Sequence, residues 1–175
     1  MTTVGRLTAI KDHRLFLATA KTLASTHPSA LFLIVGDGEL GAELRAEAAA
    51  LGLAERVRFL GWRRDLPTIY GASDVFLLTS RNEGTPVALI ESLAAGVPGV
   101  STDVGGTRDV IDSDGVGLLA PAGDATMLAA HVNALLSDPD RRRRMGALGR
   151  ASVTSRYTLD RLVDDVERLY RELLH

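Results

Sequence analysis

The chain has 175 residues, the length of one ordinary domain, and 46% of them are hydrophobic against 24% charged. Lys and Arg number 20 and Asp and Glu 22, and a net charge of −2 excludes the basic excess of a general nucleic-acid binder. The absence of cysteine excludes disulfides, thiolate zinc sites and cysteine nucleophiles, and it fits a reducing compartment. The apolar runs are too short to cross a bilayer, and no signal peptide is visible at the amino terminus. We therefore expect a single domain over residues 1–175, located in the cytoplasm.

Short apolar runs alternate with longer helical patterns along most of the chain. The runs are apolar on both faces, which is typical of parallel strands covered by helices on each side. Strands are predicted over residues 1–4, 31–35, 57–60, 74–79, 98–102 and 116–119. Helices are predicted over residues 13–25, 39–51, 65–70, 86–95, 124–136, 138–153 and 158–174, the last three with Asp or Thr at their N-caps.

This alternation predicts an α/β fold with a Rossmann-like, doubly wound parallel sheet, followed by C-terminal helices. Neither an internal repeat nor a linker divides the chain. The first strand has only four residues before Gly5, which is short for a parallel strand. We therefore expect the chain to be a piece of a longer protein.

Two glutamates flank the loop that follows the fourth predicted strand. Glu83 lies in that loop, Pro86 suits the first turn of a helix, and Glu91 follows on the second turn. Because helical side chains lean toward the N-terminus, both carboxylates can face one crevice, where the helix start offers free N–H groups. Carboxylates bind sugar hydroxyls and helix-end amides bind phosphate, so the pattern favours a nucleotide-sugar pocket. The alternative is a pair of solvated helix-end charges.

Two further loops combine glycine with charge. Arg6 and Lys11 follow the first strand and could clamp a diphosphate, or they could be solvated surface charges. The sequence Gly36-Asp37-Gly38 follows the second strand and is typical of a tight turn, although glycines also let a ligand approach the backbone.

Taken in order, these motifs resemble the donor domain of GT-B glycosyltransferases, most closely glycosyltransferase family four, the glycosyl transferases group 1. The pair Glu83 and Glu91 resembles the E-x7-E signature of that family. The resemblance runs over nearly the whole chain, through Arg156-Tyr157 and the last helix. Its remaining motifs are Gly5-Arg6-Leu7 with Lys11, Ile34-Val35-Gly36-Asp37-Gly38, Phe59-Leu60-Gly61-Trp62, Ser73-Asp74-Val75, Glu83-Gly84-Thr85-Pro86 and Ala95-Gly96-Val97-Pro98.

The resemblance implies roles for individual residues. Arg6 and Lys11 would bind the donor diphosphate and stabilise the leaving group, and Glu83 would hold the transferred sugar. These three would be the catalytic residues. The remaining donor-binding residues would be Gly5, Gly36, Gly61, Trp62, Arg63, Gly84, Thr85, Val87, Ala88 and Glu91.

Within that donor-binding set, the resemblance distinguishes parts of the nucleotide sugar. The backbone of Gly84 and Thr85 would assist Glu83 at the sugar, the amides near Val87 and Ala88 would reach phosphate, and Glu91 would hold the ribose hydroxyls. The loop from Gly61 to Arg63 would flank the base. Trp62 would either lean on the base or pack over the sheet edge.

The resemblance also implies a retaining, metal-independent transfer from a nucleoside diphosphate sugar, most often a uridine one, to an acceptor hydroxyl. Neither a cofactor nor a metal is expected. Such enzymes carry an N-terminal acceptor domain that is absent here, so this chain alone is expected to be inactive. The alternative is a non-catalytic nucleotide-binding module. An NAD-dependent dehydrogenase is disfavoured because no G-x-G-x-x-G follows the first strand.

Three features depart from the family pattern or lie outside it. Asp12 stands where the family usually has glycine, beside the diphosphate lysine. Gly99 stands where a β-branched residue is usual, which predicts weaker packing of the fifth strand. The arginines at 141–144 are interpreted as a solvated helix start, with a peripheral contact to an anionic membrane as the alternative.

Overall fold

The computed structural model describes residues 1–174 and contains one sheet of parallel strands. All six strands lie within two residues of the predicted ranges, so the predicted parallel sheet is confirmed. The strands are β1 (Thr2–Val4), β2 (Phe32–Val35), β3 (Val57–Gly61), β4 (Phe76–Leu78), β5 (Gly99–Thr102) and β6 (Gly117–Ala120).

Seven of the helices in this part of the chain match the predicted ones, and one was not predicted. The predicted N-caps Asp124, Asp138 and Thr158 are confirmed, because each side chain accepts a hydrogen bond from the N–H three residues ahead. The helices are α1 (His13–Thr26), α2 (Gly41–Ala50), α3 (Leu66–Gly71), α4 (Val87–Ala94), α5 (Thr107–Val110, not predicted), α6 (Ala125–Ser137), α7 (Pro139–Arg156) and α8 (Leu159–Leu173).

The strand order is β3-β2-β1-β4-β5-β6. The order reverses at β1, because the chain moves from β1 to β3 toward one edge and from β4 to β6 toward the other. This is the order of a doubly wound Rossmann fold, and ligands bind such sheets where the order reverses, at the carboxyl ends of the strands. The fold thus directs attention to the loops after β1 and β4.

Helices cover both faces of the sheet. In β4, Leu77 packs into the core beneath α1, α2 and α6, whereas Phe76 and Leu78 pack into the core beneath α3, α4 and α7. Alternating side chains therefore serve two separate cores, which explains why the strand sequences are apolar at consecutive positions.

Gly99 in β5 lets α4 approach the sheet closely. A Cβ atom at this position would lie 2.5 Å from Cδ1 of Leu89, a fully buried residue of α4. The expectation that Gly99 weakens the packing of β5 is therefore wrong. Because glycine has no side chain, Leu89 can fill the space next to the strand.

The arginines at 141–144 begin α7, and two of them have partners within the domain. Arg142 pairs with Asp74 at 3.1 Å and donates to the carbonyl of Leu135, while Arg143 pairs with Asp140. Arg142 thus joins α7 to α6 and to the residues just before β4. These contacts support the interpretation of a helix start.

The last helix, α8, has an apolar side that is exposed along its whole length. We call it the α8 apolar face; it consists of Leu159, Leu162, Val163, Val166, Leu169, Tyr170 and Leu173. Within residues 1–174, no helix is long and apolar enough to cross a membrane.

His13, at the start of α1, is a buried titratable group. Its side chain is 2% exposed, and within residues 1–174 its Nδ1 has no hydrogen-bond partner. Burial first, and then the charge of Lys11, lower the pKa of His13 from 6.5 to about 4, although the charge of Asp12 opposes the shift. The folded chain therefore keeps this ring neutral at pH values where the unfolded chain protonates it.

We expect acid to destabilise the chain through His13. Stability is unaffected above pH 6.5 and falls between pH 6.5 and 4, because only the unfolded state takes up the proton there. The full effect is about 3 kcal/mol, since one pKa unit is about 1.4 kcal/mol. Thermal unfolding from pH 7.5 to 4.5 measures this loss of stability. The melting temperature of His13→Phe should fall less over this range than that of the native chain. Equal losses in the two proteins would contradict this assignment.

Candidate nucleotide-sugar site

The loops after β1 and β4 enclose a cleft at the point where the strand order reverses. We call it the switch-point cleft; its volume is about 310 Å³. It brings together seven of the site residues predicted from sequence, on elements far apart in the chain. Its lining consists of Val4, Gly5, Lys11, Leu78, Glu83, Thr85, Pro86, Val87, Ala88 and Glu91.

A second cleft of about 440 Å³ adjoins the first through Val4 and Gly5. It lies between the loops after β1, β2 and β3. Besides the shared Gly5, it contains four further predicted site residues, Arg6, Gly36, Trp62 and Arg63. Asp37 also lines it, which the sequence reasoning did not assign to the site. Arg6 and Lys11 therefore border adjacent clefts on either side of Gly5, not one shared cleft.

Lys11 and Glu83 form an ion pair at the floor of the switch-point cleft. Lys11 Nζ donates to Glu83 Oε1 at 2.6 Å, and the hydroxyl of Ser80 donates to the same oxygen at 2.5 Å. Glu83 is only 9% exposed, so these two donors offset the cost of removing its carboxylate from water. Sequence reasoning assigned no role to Ser80, although its position three residues before Glu83 in a loop was the available signal.

Further contacts join the loop that carries Lys11 to the loop that carries Glu83. The N–H of Arg81 donates to the Ile10 carbonyl at 2.8 Å, and the hydroxyl of Thr79 donates to the Lys11 carbonyl at 3.1 Å. Arg81 Nε also donates to Asp12 Oδ2 at 2.8 Å. The two loops are thus held as one unit, which fixes the spacing of the ion pair.

Asp12 adopts a conformation that few residues other than glycine tolerate. Its φ of 44° lies in the left-handed region, and its carboxylate caps α1 by accepting from the Leu15 N–H at 3.4 Å. The left-handed backbone explains why glycine is usual at this position in the family that the chain resembles. The cap and the pair with Arg81 account for the acidic side chain.

The start of α4 presents a backbone donor to the cleft. The N–H of Val87 already donates to the Thr85 carbonyl at 2.9 Å, whereas the N–H of Ala88 has no backbone acceptor in the described part of the chain. A helix N-terminus with a free N–H and the positive end of its dipole attracts an anion. Of the two amides predicted to reach phosphate, Ala88 is therefore the available one.

Glu91 lies one turn further along α4, at the rim of the cleft. Its Oε2 accepts a hydrogen bond from the hydroxyl of Tyr70 in α3 at 2.9 Å. The two glutamates therefore differ in setting, since Glu83 is buried and paired with a cation, whereas Glu91 is exposed and bound to a neutral phenol.

Gly36 is required by its contact with Gly5. Its φ is +132°, and a Cβ atom there would lie 1.9 Å from the Gly5 carbonyl oxygen. The glycine therefore lets the backbone after β2 approach the backbone after β1. The two segments are joined by a hydrogen bond of 2.9 Å from the Gly5 N–H to the Val35 carbonyl. Sequence reasoning proposed that a ligand could use this close approach, but protein backbone occupies it.

The predicted base-flanking loop projects from the end of β3. Gly61 accepts a hydrogen bond from the Gly36 N–H at 2.8 Å, which ties this loop to the turn after β2. Trp62 is 67% exposed with the guanidinium of Arg64 at 5.1 Å from its ring, so its indole does not pack over the sheet edge. Arg63 is bound to Asp65 by two hydrogen bonds of 2.8 and 2.6 Å.

Gly84 is exposed in the loop after β4 and lines neither cleft.

A larger cavity than either cleft lies at the opposite edge of the sheet. It has a volume of about 550 Å³ and surrounds Met1 at the amino ends of the strands. Several of its polar side chains already have partners. Arg142 pairs with Asp74 at 3.1 Å within the cavity, and His27 bonds to Asn133 outside it at 2.8 Å. The switch-point cleft is smaller, but it holds the convergent charged groups.

Over residues 1–174, no group of three or more His, Asp or Glu is arranged to hold a metal ion.

Fold and site together define an α/β domain with a charged cleft at the switch point of its parallel sheet. The family described as "Glycosyl transferases group 1" matches residues 1–152. The chain belongs to this family, and the resemblance seen in its sequence motifs is confirmed.

Known proteins agree with this assignment. The chain is 32% identical to the Escherichia coli UDP-Gal:alpha-D-GlcNAc-diphosphoundecaprenol alpha-1,3-galactosyltransferase, over 99% of this chain and 45% of that protein. It superposes with a TM-score of 0.91 on Anabaena Alr3699/HepE in complex with UDP, at 24% identity, covering 98% of this chain and 48% of that one. It superposes with a TM-score of 0.82 on the C-terminal domain of a Francisella tularensis glycosyl transferase group 1 family protein (LpcC), at 22% identity over 90% of this chain and 86% of that one. The chain therefore spans less than half the length of the galactosyltransferase.

We expect substitutions at Asp12 to separate its cap from its backbone strain. Asp12→Asn keeps the cap and tolerates the left-handed backbone, so it should change the free energy of unfolding by less than about 1 kcal/mol. Asp12→Ala loses the cap and keeps a Cβ in the strained conformation, which should cost about 1–3 kcal/mol. Asp12→Gly should lie between them. Urea denaturation measures all three, and an alanine variant as stable as the native chain would contradict this account.

Proposed function

We propose that this chain is the donor-binding domain of a retaining glycosyltransferase, which moves a sugar from a uridine diphosphate sugar to an acceptor hydroxyl. The observation that carries the proposal is the switch-point cleft. In it the Lys11–Glu83 ion pair, the free N–H of Ala88 and the carboxylate of Glu91 converge on one space. These groups complement a ligand that has phosphates next to sugar hydroxyls.

The donor diphosphate would lie between Lys11 and the start of α4. Lys11 supplies a full positive charge and the Ala88 N–H a dipolar one, which favours the negative charge that grows on the leaving phosphate. Arg6 would reach the diphosphate from the adjoining cleft. On this proposal cationic side chains and the helix terminus stabilise the leaving group, and no metal or other cofactor is required.

The two glutamates would divide the remainder of the donor. Glu83 would accept from hydroxyls of the transferred sugar, with the backbone of Gly84 and Thr85 beside it, and Glu91 would accept from the ribose. The base would extend toward Gly61, Trp62 and Arg63 in the adjoining cleft. A uridine base is supported by the UDP named for both the galactosyltransferase and the Anabaena structure.

The acceptor would be bound by a second half of the enzyme, which we propose to be an N-terminal domain of similar size. Support comes from the coverage of relatives, since this chain matches less than half of the galactosyltransferase. The α8 apolar face also supports it, because an apolar helix side exposed along its length gains stability when another surface covers it. We place the reaction in the cytoplasm, in keeping with the absence of cysteine.

Calorimetric titration with UDP, GDP and ADP tests donor binding directly. We expect UDP to bind the isolated chain without sugar transfer to an acceptor, and Lys11→Met to weaken UDP about tenfold or more while leaving uridine unaffected. Lys21→Met is the matched control, because the only other lysine of the chain lies on α1 outside both clefts.

The outcomes of this titration discriminate between functions. Failure of all three nucleotides to bind would refute donor binding. UDP binding without any transfer by the chain joined to its N-terminal half would favour a nucleotide-binding module over an enzyme.

The two glutamates are expected to separate nucleotide binding from transfer. Glu91→Ala should weaken UDP about tenfold, because a charged hydrogen bond to the ribose is lost. Glu83→Ala should leave UDP affinity unchanged or raise it, since it releases Lys11 from its ion pair, yet it should abolish most transfer in the two-domain protein. Calorimetry and one activity assay measure both effects. Normal turnover with Glu83→Ala, or equal losses of UDP affinity in the two variants, would refute this division.

A further inference from the structure

Tyr70 forms the one side-chain hydrogen bond that Glu91 makes within residues 1–174. It lies near the end of α3, and its hydroxyl donates to Glu91 Oε2 at 2.9 Å. The same hydroxyl lies 3.3 Å from the Ala88 carbonyl in the first turn of α4. The phenol therefore touches both the carboxylate and the backbone of the helix that carries it.

The ring of Tyr70 is fixed by the core. It is 2% exposed and packs edge-to-face on Phe76 of β4, with ring centroids 6.0 Å apart and planes at 65°. A buried aromatic ring with such a neighbour has one rotamer available to it. Its hydroxyl is therefore a donor at a fixed point beside the rim of the cleft.

Glu91 depends on this donor, because its side chain has no other hydrogen bond or ion pair in the described residues. It is an exposed helix residue without an ion pair, and its Oε1 receives no hydrogen bond in that part of the chain. Left alone, a glutamate of this kind samples several rotamers, and a ligand must select one of them. With Oε2 occupied by the phenol, Oε1 is directed at one place and remains open to accept.

We propose that Tyr70 is a positioning residue for the nucleotide, which holds Glu91 in the rotamer that accepts hydrogen bonds from the ribose hydroxyls. This inference rests on the proposed function, since it deepens the role given there to Glu91. Burial first, and then the charge of Glu91, raise the pKa of Tyr70 above its ordinary value. The phenol consequently remains protonated, and therefore a donor, at pH 10, where an ordinary tyrosine is half ionised.

The test compares Tyr70→Phe with the native chain on two ligands. The substitution removes one oxygen and keeps the ring, so the packing on Phe76 is retained. The ligands are UDP and 2′,3′-dideoxyuridine diphosphate, which lacks the hydroxyls that Glu91 would bind. We expect Tyr70→Phe to weaken UDP about tenfold and to leave the dideoxy ligand unchanged, because only the former uses the positioned carboxylate.

Two comparisons exclude a merely structural role. In a Glu91→Ala background, Tyr70→Phe should cause no further loss of UDP affinity, whereas an independent structural effect would add to the first. Tyr157→Phe is the matched control, because its hydroxyl donates to the Asp109 carbonyl at 3.1 Å and lines neither cleft. It should bind both ligands as the native chain does.

The results that overturn the inference are distinct from those that overturn the proposed function. Suppose that the native chain binds UDP. If Tyr70→Phe then binds both ligands as tightly as the native chain does, or loses affinity for both to the same extent, Tyr70 is not a positioning residue. Additive losses in the double variant would overturn it in the same way. If the native chain itself fails to bind UDP, the assignment of a UDP-sugar donor falls, and the role of Tyr70 falls with it.

Discussion

The pairing of β1 with β4 is the constraint on which the site depends. Thr2 of β1 lies opposite Phe76 of β4, and its N–H donates to the Val75 carbonyl at 3.0 Å, while the other edge of β1 is bonded to β2. The strands that follow β1 therefore extend the sheet toward one edge, and the strands that follow β4 extend it toward the other. The loops that follow these two strands meet at the carboxyl edge with no helix between them, so residues 72 positions apart in sequence form the Lys11–Glu83 pair.

The electrostatics of the cleft follow from how deeply each carboxylate lies. Glu83 is nearly buried, and an unpaired carboxylate there would destabilise the fold, so the fold supplies Lys11 and Ser80 as donors. The same pairing holds Lys11 close to the start of α4 before any ligand arrives. The positive charge, the helix terminus and the buried carboxylate are thus brought together by folding, before any ligand binds.

The sequence predicted the repeating elements of this fold well, because their signals are local. Apolar runs, N-cap residues and glycine turns each mark a strand or a helix within a few positions of the chain. The family motifs named most of the residues that line the two clefts. The helix α5 escaped notice because four residues after two glycines carry no periodicity. The reason for Gly99 was misjudged, since only the position of Leu89 in space shows that a side chain there would clash.

Contacts between distant segments were beyond sequence reasoning for the same reason. Tyr70 and Glu91 are 21 positions apart, and nothing in the sequence between them indicates that a phenol on one helix meets a carboxylate on the next. The left-handed backbone of Asp12 likewise depends on how the loop from Gly5 turns into α1. From the sequence alone, both Tyr70 and Asp12 could be ordinary surface residues. Only the packing of the neighbouring elements shows that each makes a specific contact.

The two glutamates illustrate how one helix and its preceding loop can present carboxylates of different character. Each has one oxygen engaged by a hydroxyl, Ser80 for Glu83 and Tyr70 for Glu91, but only Glu83 also has a cation. A ligand group that binds Glu83 must compete with Lys11, and a phosphate that binds Lys11 must compete with Glu83. In the proposed donor complex, nucleotide and sugar would therefore influence each other through this ion pair, although they would contact different atoms. A phosphate that draws Lys11 away leaves the buried carboxylate in need of a new donor. A sugar hydroxyl next to that phosphate is such a donor. The ion pair thus favours a ligand that brings both groups together over one that carries phosphate alone.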